Sequence, residues 1–204
     1  MTDNRGTVLE PKQARGHETR RKILDATLSL LEDRHFEALT IADIAARAGM
    51  AVGNFYKRFK NKEALLPPLY AEYNNRFAAF AGMQHSLQDA DPWRAMVETT
   101  VGFFEENRGL IRALHLHSRL KPDLVPEGST AARGSLYRAA EVLVSPDGIT
   151  QEQRLLKARM AVLMMVSSTV EAVIYPEMTP AVAAAIGRED FVRELVQALK
   201  AYAG

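Results

Sequence analysis

Apolar residues recur at three- and four-residue intervals along nearly the whole chain, and no stretch alternates convincingly between apolar and polar residues. The first clear stripe, just after Arg20, consists of Ile23, Ala26, Thr27, Leu30 and Leu31. This spacing is that of one face of an amphipathic α-helix, whereas half-buried strands alternate with a period of two. The sequence therefore predicts an all-α protein.

The region after the first helix contains the signals of two short helices joined by a tight turn. Thr40 and Asp43 have the spacing of a capping box, and Gly49 suits the left-handed position that closes a helix. Only about ten residues separate Gly49 from Asn61, which is a good N-cap for a fourth helix beginning at Lys62. The third helix must therefore be short, and the second and third helices form a predicted helix-turn-helix.

The third helix opens the segment VGNFYKRFKNK, residues 52–62, which holds four cations, three aromatic rings and no acid. Phe55 and Phe59 are four residues apart and can anchor one side of the helix, which leaves Lys57 and Arg58 on other sides. The second helix of a helix-turn-helix enters the DNA major groove, so exposed donors here favour DNA binding. The alternative is a small three-helix core whose basic face is merely solvated.

Positive charge is concentrated towards the N-terminus. Residues 1–62 carry twelve Lys and Arg against eight Asp and Glu, whereas residues 63–204 carry fourteen against seventeen. Residues 1–18 are predicted to form a flexible basic arm, and such an arm can reach the minor groove or be a tail without a specific role. Arg20, close to the predicted domain, is expected to contact a phosphate.

The segment TIADIAARAGMAVGNFYKRFKNKEALL, residues 40–66, resembles the DNA-binding signature of the TetR family of transcriptional repressors. In that signature a Thr-initiated helix, an Ala-Gly turn, a Gly-x-x-Tyr-x-x-Phe recognition helix and a Lys-Glu-Ala-Leu start of the fourth helix follow one another. With the first helix, the resemblance covers residues 19–66, about a quarter of the chain. It implies that Thr40, Tyr56 and Lys62 hold phosphates. It also implies that five positions face the groove: Val52, Gly53, Asn54, Lys57 and Arg58.

Two features depart from the family pattern. Val52 and Gly53 place no long hydrogen-bonding side chain at the start of the recognition helix, so base readout is expected to depend on Asn54 and on Arg58 or Lys57. The dipeptide at residues 67–68 is Pro-Pro, which removes backbone donors one turn into the fourth helix. A kink or restart of the helix near residue 66 is therefore expected.

The chain is expected to divide into the arm, a helix-turn-helix domain over residues 19–66 and a larger helical domain over residues 67–204. The last two predicted helices, one from Thr150 to Tyr175 and one from about Arg188, are apolar on more than one face. In the TetR family the last two helices form a four-helix bundle with a symmetry mate, so the resemblance implies a homodimer through them. The alternative is a helix that is simply central to its own domain.

The larger domain is rich in bulky apolar and aromatic side chains, which suggests a pocket for a small, largely apolar effector. The candidate lining residues are Trp93, Met96, Phe103, Phe104, His115, Tyr137, Met160 and Met164. Core packing is the competing role for each of them. The resemblance implies a repressor that such an effector releases from a palindromic operator.

Several other classes of protein have no support in the sequence. The chain has no cysteine, which excludes disulfides and thiolate metal sites, and it has no signal-peptide or membrane-span pattern, so a cytoplasmic location is expected. His115 and His117 diverge by about 200° on a helix and cannot share a metal ion. No catalytic motif or cofactor-binding loop is present, so we expect neither an enzyme nor a cofactor. The alternative function is a helical small-molecule-binding or interaction protein whose helix-turn-helix does not recognise specific DNA.

Overall fold

The computed structural model describes residues 11–84, 90–125, 133–176 and 186–204 of the chain. Every regular element within these residues is helical, which confirms the predicted all-α fold class. The α-helices are α1 (Pro11–Asp33), α2 (Ile41–Arg47), α3 (Val52–Tyr56), α4 (Leu66–Gln84), α5 (Pro92–Glu106), α6 (Arg108–Leu120), α7 (Arg133–Leu143), α8 (Gln151–Thr169) and α9 (Arg188–Ala203).

The chain divides into two compact units, Met1–Leu69 and Tyr70–Gly204. Sequence analysis placed this boundary at residue 66 instead of 69. Helix α4 begins in the first unit and continues into the second.

Helix α1 begins earlier than the apolar stripe indicated. Residues 11–18, assigned above to a flexible arm, are helical, whereas residues 1–10 lie outside the described residues. The segment lacks apolar periodicity, but an ion pair of 2.9 Å joins Lys22 to Glu18 four residues earlier, and such pairs support an exposed helix. Periodicity therefore located only the part of α1 that packs against the core.

The core of the first unit includes large apolar side chains that are each no more than 2% exposed. They include Ile23, Leu31, Phe36, Leu39, Ile44, Phe55 and Leu65. Helix α2 packs against both α1 and α3. Gly49 has a φ of 66°, which places it in the left-handed region predicted for the end of α2.

The predicted capping box at the start of α2 is confirmed. Asp43 N–H donates to Thr40 Oγ1 at 3.1 Å, and Thr40 N–H donates to Asp43 Oδ2 at 2.9 Å. Arg34 Nη2 donates to the same Asp43 Oδ2 at 3.1 Å. The hydrogen bonds from Thr40, supported by the Arg34 guanidinium, lower the pKa of Asp43 from 3.8 to about 2.

The predicted break at the prolines is also observed. Asn61 Oδ1 accepts a hydrogen bond from Ala64 N–H and starts a 3₁₀ helix, Lys62–Leu65, and the α-helix begins only at Leu66. Pro67 and Pro68 thus lie in the first turn of α4, where backbone N–H groups have no partner within the helix.

The second unit packs α5 antiparallel against α9 and α8 against α7 and α9. Salt bridges join the two ends of α5 to α9, one between Asp91 and Lys200 at 2.6 Å and one between Glu105 and Arg188 at 2.9 Å. The predicted start of α8 at Thr150 is confirmed, and Thr150 and Gln153 form a capping box there. Sequence analysis extended this helix without interruption to Tyr175, but the structure changes to a π-helix over Val170–Ile174. Such π-helical turns are rare and frequently occur at functional sites.

Within the described part of the chain, no helix is long and apolar enough to cross a lipid bilayer.

The lowered pKa of Asp43 makes the first unit sensitive to acid. A carboxyl whose folded pKa is depressed contributes stability above its ordinary pKa and loses it as the pH falls from about 4 to about 2. We therefore expect Asp43→Asn to melt at a lower temperature than the wild type at pH 7, and the difference to shrink towards zero at pH 2. Circular dichroism melts at several pH values measure this.

Asp33→Asn is the control, because Asp33 is exposed at the end of α1. A difference between Asp43→Asn and the wild type that stays constant from pH 7 to pH 2 would show that the Asp43 charge does not carry the effect.

Candidate functional site

The short helix α3 is anchored by aromatic rings on one side and exposes polar groups on the other. Phe55 is 0% exposed and Phe59 is 4% exposed, and their ring centroids lie 5.5 Å apart. Tyr56, at 55% exposure, points outward, as do the side chains of Asn54 and Lys57. The two buried rings therefore fix which face of α3 meets the surroundings.

A polar depression of about 340 Å³ lies beside α3 and α1. Its lining residues are Thr19, Lys22, Ala48, Gly49, Met50, Asn54, Lys57 and Arg58. Three of them are cations, and the amide of Asn54 adds a donor and an acceptor. A cationic groove of this kind suits a polyanion.

Two of the predicted DNA-binding residues, Arg20 and Arg58, each lie against another residue of the first unit. The Arg20 guanidinium carbon lies 5.1 Å from the centre of the Phe59 ring, at cation–π distance. The Arg58 guanidinium lies against Gly16 of α1, where an added Cβ would approach it to 3.6 Å. Both side chains are exposed, so their donors are accessible.

The first positions of α3 carry little bulk. Val52 is 40% exposed, and Gly53 is exposed with no atom within 4 Å of an added Cβ. Another molecule can therefore approach the backbone closely at this end of α3.

Two of the expected phosphate ligands, Thr40 and Lys62, form hydrogen bonds within the first unit. The Thr40 hydroxyl belongs to the capping box of α2. Lys62 Nζ donates to the carbonyl oxygens of Phe36, Glu37 and Leu39, each at 2.9 Å. An ammonium group has three protons, so the three carbonyls use all of them. Lys62 thus joins the start of the fourth helical segment to residues 36–39, and its role as a phosphate ligand stays a prediction.

The second unit contains a cavity of about 630 Å³, within the range of about 300–1,000 Å³ that is usual for small-molecule sites. Its lining residues come from α4 (Tyr70, Tyr73, Phe77, Phe80), α5 (Thr100, Phe104), α6 (Ile111, Leu114, His115, Leu116, Ser118, Arg119), α7 (Leu136, Tyr137), α8 (Val162, Leu163, Val166, Ser167) and the segment after α8 (Val170, Glu171, Tyr175).

Three of the eight predicted ligand-binding residues line this cavity: Phe104, His115 and Tyr137. The other five, Trp93, Met96, Phe103, Met160 and Met164, do not. Trp93 and Met96 are buried in the core, while Met160 is 40% exposed on α8. Phe103 lies behind the cavity wall, stacked on Phe80 with ring centroids 4.7 Å apart.

Sequence analysis missed the aromatic wall that α4 contributes. Tyr70, Tyr73, Phe77 and Phe80 recur at spacings of three and four residues, which places them on one face of α4. The signal was therefore present in the sequence. Tyr70 is fixed by its hydroxyl, which donates to the Leu114 carbonyl at 3.1 Å.

Polar groups of the cavity lie mainly on α6 and on the segment after α8. His115 Nδ1 and the Tyr175 hydroxyl are 3.0 Å apart, and Ser118 Oγ donates to the His115 carbonyl at 2.8 Å. Arg119 is exposed, and its guanidinium has no carboxylate within ion-pair distance among the described residues. Glu171, in the segment after α8, adds one negative charge to the cavity lining. The cavity is thus amphipathic, with an aromatic and aliphatic body and a polar part.

His117 is buried at 8% exposure, whereas His115 is half-buried and lines the cavity, so the two side chains lie in different surroundings. Among the described residues, no group of three or more His, Asp or Glu side chains is placed to hold a metal ion.

The contacts of Lys62 predict a contribution to stability. We expect Lys62→Met to lower the free energy of unfolding of the first unit by about 1–3 kcal/mol, because three carbonyls lose a charged donor. Hydrogen exchange of the α1 and α2 amides reports on this unit alone.

The matched control is Lys57→Met, since Lys57 is exposed and its shortest polar contact is 3.4 Å, to Asn54 Oδ1. We expect it to change stability by less than about 0.5 kcal/mol. Equal protection in the two variants would mean that the three hydrogen bonds of Lys62 carry no net stability.

Comparison with known proteins agrees with the geometry of the first unit. Residues 23–67 match the model of a family described as bacterial regulatory proteins, tetR family. The uncharacterized HTH-type transcriptional regulator YvdT of Bacillus subtilis (strain 168) is 37% identical over 59 residues, which are 29% of either chain. The HTH-type transcriptional regulator BetI of Klebsiella pneumoniae (strain 342) is 30% identical over 90 residues, 44% of this chain and 46% of BetI. The chain spans between 29% and 54% of the curated relatives that it matches.

Solved structures resemble the chain over nearly its full length. The transcriptional regulator FadR from Bacillus subtilis, solved in complex with stearoyl-CoA, has a TM-score of 0.57 at 16% identity, and the match covers 91% of this chain and 98% of FadR. At this identity, the structural match shows that the two proteins share a fold. With the sequence match of residues 23–67, it establishes that the chain carries the DNA-binding domain of the TetR family of bacterial regulatory proteins.

Proposed function

We propose that this chain is a cytoplasmic DNA-binding transcriptional repressor. In this proposal it binds a palindromic operator as a homodimer and leaves it when a small, largely apolar effector occupies the cavity. The observation that carries the proposal is the exposed face of α3, where Asn54, Lys57 and Arg58 stand beside a cationic depression. A basic face needed only for solubility would not require two buried aromatic anchors, Phe55 on α3 and Phe59 three residues after its end.

The residues of this face divide into two roles. Asn54 can pair bidentately with adenine, and Arg58 or Lys57 can pair with guanine, so these side chains would read bases. The exposed Tyr56 hydroxyl and the Arg20 guanidinium suit phosphate oxygens, which fix register without reading sequence. Val52 and Gly53 would allow the helix to approach the base edges closely.

The proposed dimer surface is an apolar stripe on α8. Leu156, Met160 and Leu163 lie four and three residues apart, and they are 65%, 40% and 57% exposed. Three large apolar side chains on one exposed stripe favour a protein partner, and a second copy of the chain is the occupant that we propose. Helix α9 packs against α8 and carries Tyr202, which is 37% exposed.

The burial of the last helix limits where the interface can be tested. Leu195 on α9 is 9% exposed and belongs to the core of its own unit. A charge at this position would unfold the unit instead of reporting on an interface. Outward-facing positions of α8 are therefore the informative ones.

The proposed effector is an amphipathic molecule with an anionic or strongly polar end. The aromatic side chains of α4 and α5 suit an apolar body, and Arg119, Ser118 and His115 suit a carboxylate or phosphate. The B. subtilis FadR structure, which has the same fold, holds stearoyl-CoA, an acyl chain on an anionic carrier. We therefore propose fatty acids or their acyl conjugates as the first effector class to test.

A selection from random duplex DNA tests the proposal. We expect it to enrich an imperfect palindrome whose half-sites lie about one helical turn apart, because a two-fold dimer presents two copies of α3. Asn54→Ala should relax discrimination at one base position by about 1–3 kcal/mol. Lys57→Met should lower the slope of log affinity against log salt by about 1.

Arg138→Met is the control, since Arg138 is an exposed cation on α7 in the second unit. It should leave both the preferred sequence and the salt slope unchanged. An unchanged preferred sequence in Asn54→Ala would refute base readout by Asn54. A selection that enriches no sequence would favour a binding protein that does not use its helix-turn-helix on specific DNA.

The dimer surface predicts a second result. We expect Leu156→Glu to sediment as a monomer and to lose affinity for a two-half-site operator, because a carboxylate would be buried without a partner between the subunits. Analytical ultracentrifugation gives the mass directly.

Leu120→Glu is the matched control, because Leu120 is 64% exposed and Leu156 is 65% exposed, but Leu120 lies at the end of α6. It should remain a dimer with a normal melting temperature. A dimeric Leu156→Glu would remove the α8 stripe from the interface.

A further inference from the structure

One threonine differs from the other fully buried threonines of the described chain. Thr27, Thr100 and Thr169 all lie in helices and are all 0% exposed. Thr27 Oγ1 donates to the Ile23 carbonyl and Thr169 Oγ1 donates to the Met165 carbonyl, each at 2.8 Å. The carbonyl four residues earlier is the local partner open to any helical threonine.

Thr100 does not use this partner. Its Oγ1 is buried and has no hydrogen bond with any described residue. The local geometry of α5 does not prevent the usual bond, because the neighbouring Thr99 Oγ1 donates to the Ala95 carbonyl at 2.6 Å. Thr100 also differs from Thr27 and Thr169 in its position, because it lines the cavity and they do not.

Aromatic residues of α4 and α5 line the same cavity as Thr100. Phe104 follows one turn later on α5, and Phe77 and Phe80 line the cavity from α4. An unpaired hydroxyl inside such a wall destabilises the fold, and a valine of the same shape would avoid this. Such a hydroxyl can form a hydrogen bond if a bound molecule places a polar atom beside it.

We infer that Thr100 is a specificity-determining residue that hydrogen-bonds an oxygen on the apolar body of the effector. This inference rests on the proposed function, in which the cavity is the effector site. It narrows the effector to amphipathic acids or acyl conjugates that carry a hydroxyl or keto oxygen along the chain. An unsubstituted chain would leave the Thr100 hydroxyl unpaired, and sites with a buried polar group discriminate against ligands that cannot pair it.

Calorimetric titration with palmitic acid and a set of its monohydroxylated positional isomers tests the inference. We expect at least one isomer to bind the wild-type protein about 5- to 30-fold more tightly than palmitic acid. Thr100→Val should reduce this ratio to about 1, and Thr100→Ser, which keeps the hydroxyl, should restore most of it. Thr169→Val, buried to the same extent but outside the cavity, should keep the wild-type ratio.

The melting temperature of the ligand-free protein is a second readout. Thr169→Val should melt at a lower temperature than the wild type because it loses a hydrogen bond, whereas Thr100→Val should not. An unchanged ratio in Thr100→Val, or equal destabilisation by the two substitutions, would overturn the inference.

Operator binding by the wild type separates this inference from the proposed function. A wild type that binds its selected operator but none of these acids overturns the inference and leaves the proposed DNA-binding role in place. A wild type that discriminates among the acids but selects no DNA supports the role of Thr100 and overturns the proposed repressor.

Discussion

The complete burial of Phe55 determines what α3 can present to another molecule. A helix of five residues has too few internal hydrogen bonds to be stable alone, so its orientation depends on the packing of its apolar side. With Phe55 in the core and Phe59 beside it, Asn54 and Lys57 have no inner position to occupy. The burial of these rings therefore fixes which charged side chains of this segment are exposed, and the capping box and Lys62 hold neighbouring segments of the same unit in place.

The helices of the second unit differ from those of the first in that they enclose a cavity. Phe103 packs behind Phe80 and makes a rigid back to the aromatic wall, while Thr100 and Phe104 face the cavity from the same helix. The π-helical turn after α8 places Glu171 and Tyr175 at this cavity, and Tyr175 meets His115 there. An irregular turn and an unpaired hydroxyl in one cavity wall are features that core packing alone does not require.

Sequence reasoning predicted the elements whose causes are local. Thr40 with Asp43, Gly49, Asn61 and Thr150 with Gln153 each specify a cap through neighbouring residues, and these positions agree with the structure. The contacts of Lys62 were not predicted because its three carbonyl partners lie more than twenty residues away in the chain. Met160 and Trp93 were predicted to line the cavity but lie outside it, because apolar side chains look alike in sequence whether they fill a core, line a cavity or face outward. Only tertiary packing separates these roles.

Helix α4 gives the proposed control a physical basis. Its first residues belong to the first unit, and Tyr70, Tyr73, Phe77 and Phe80 of the same helix form the aromatic wall of the cavity. An effector that displaces this wall acts on a helix whose start is covalently part of the DNA-binding unit. The two prolines leave that start without the regular hydrogen bonds of a helix interior, so a change of angle there breaks few bonds. If the effector weakens operator binding by this route, operator DNA must weaken effector binding by the same factor.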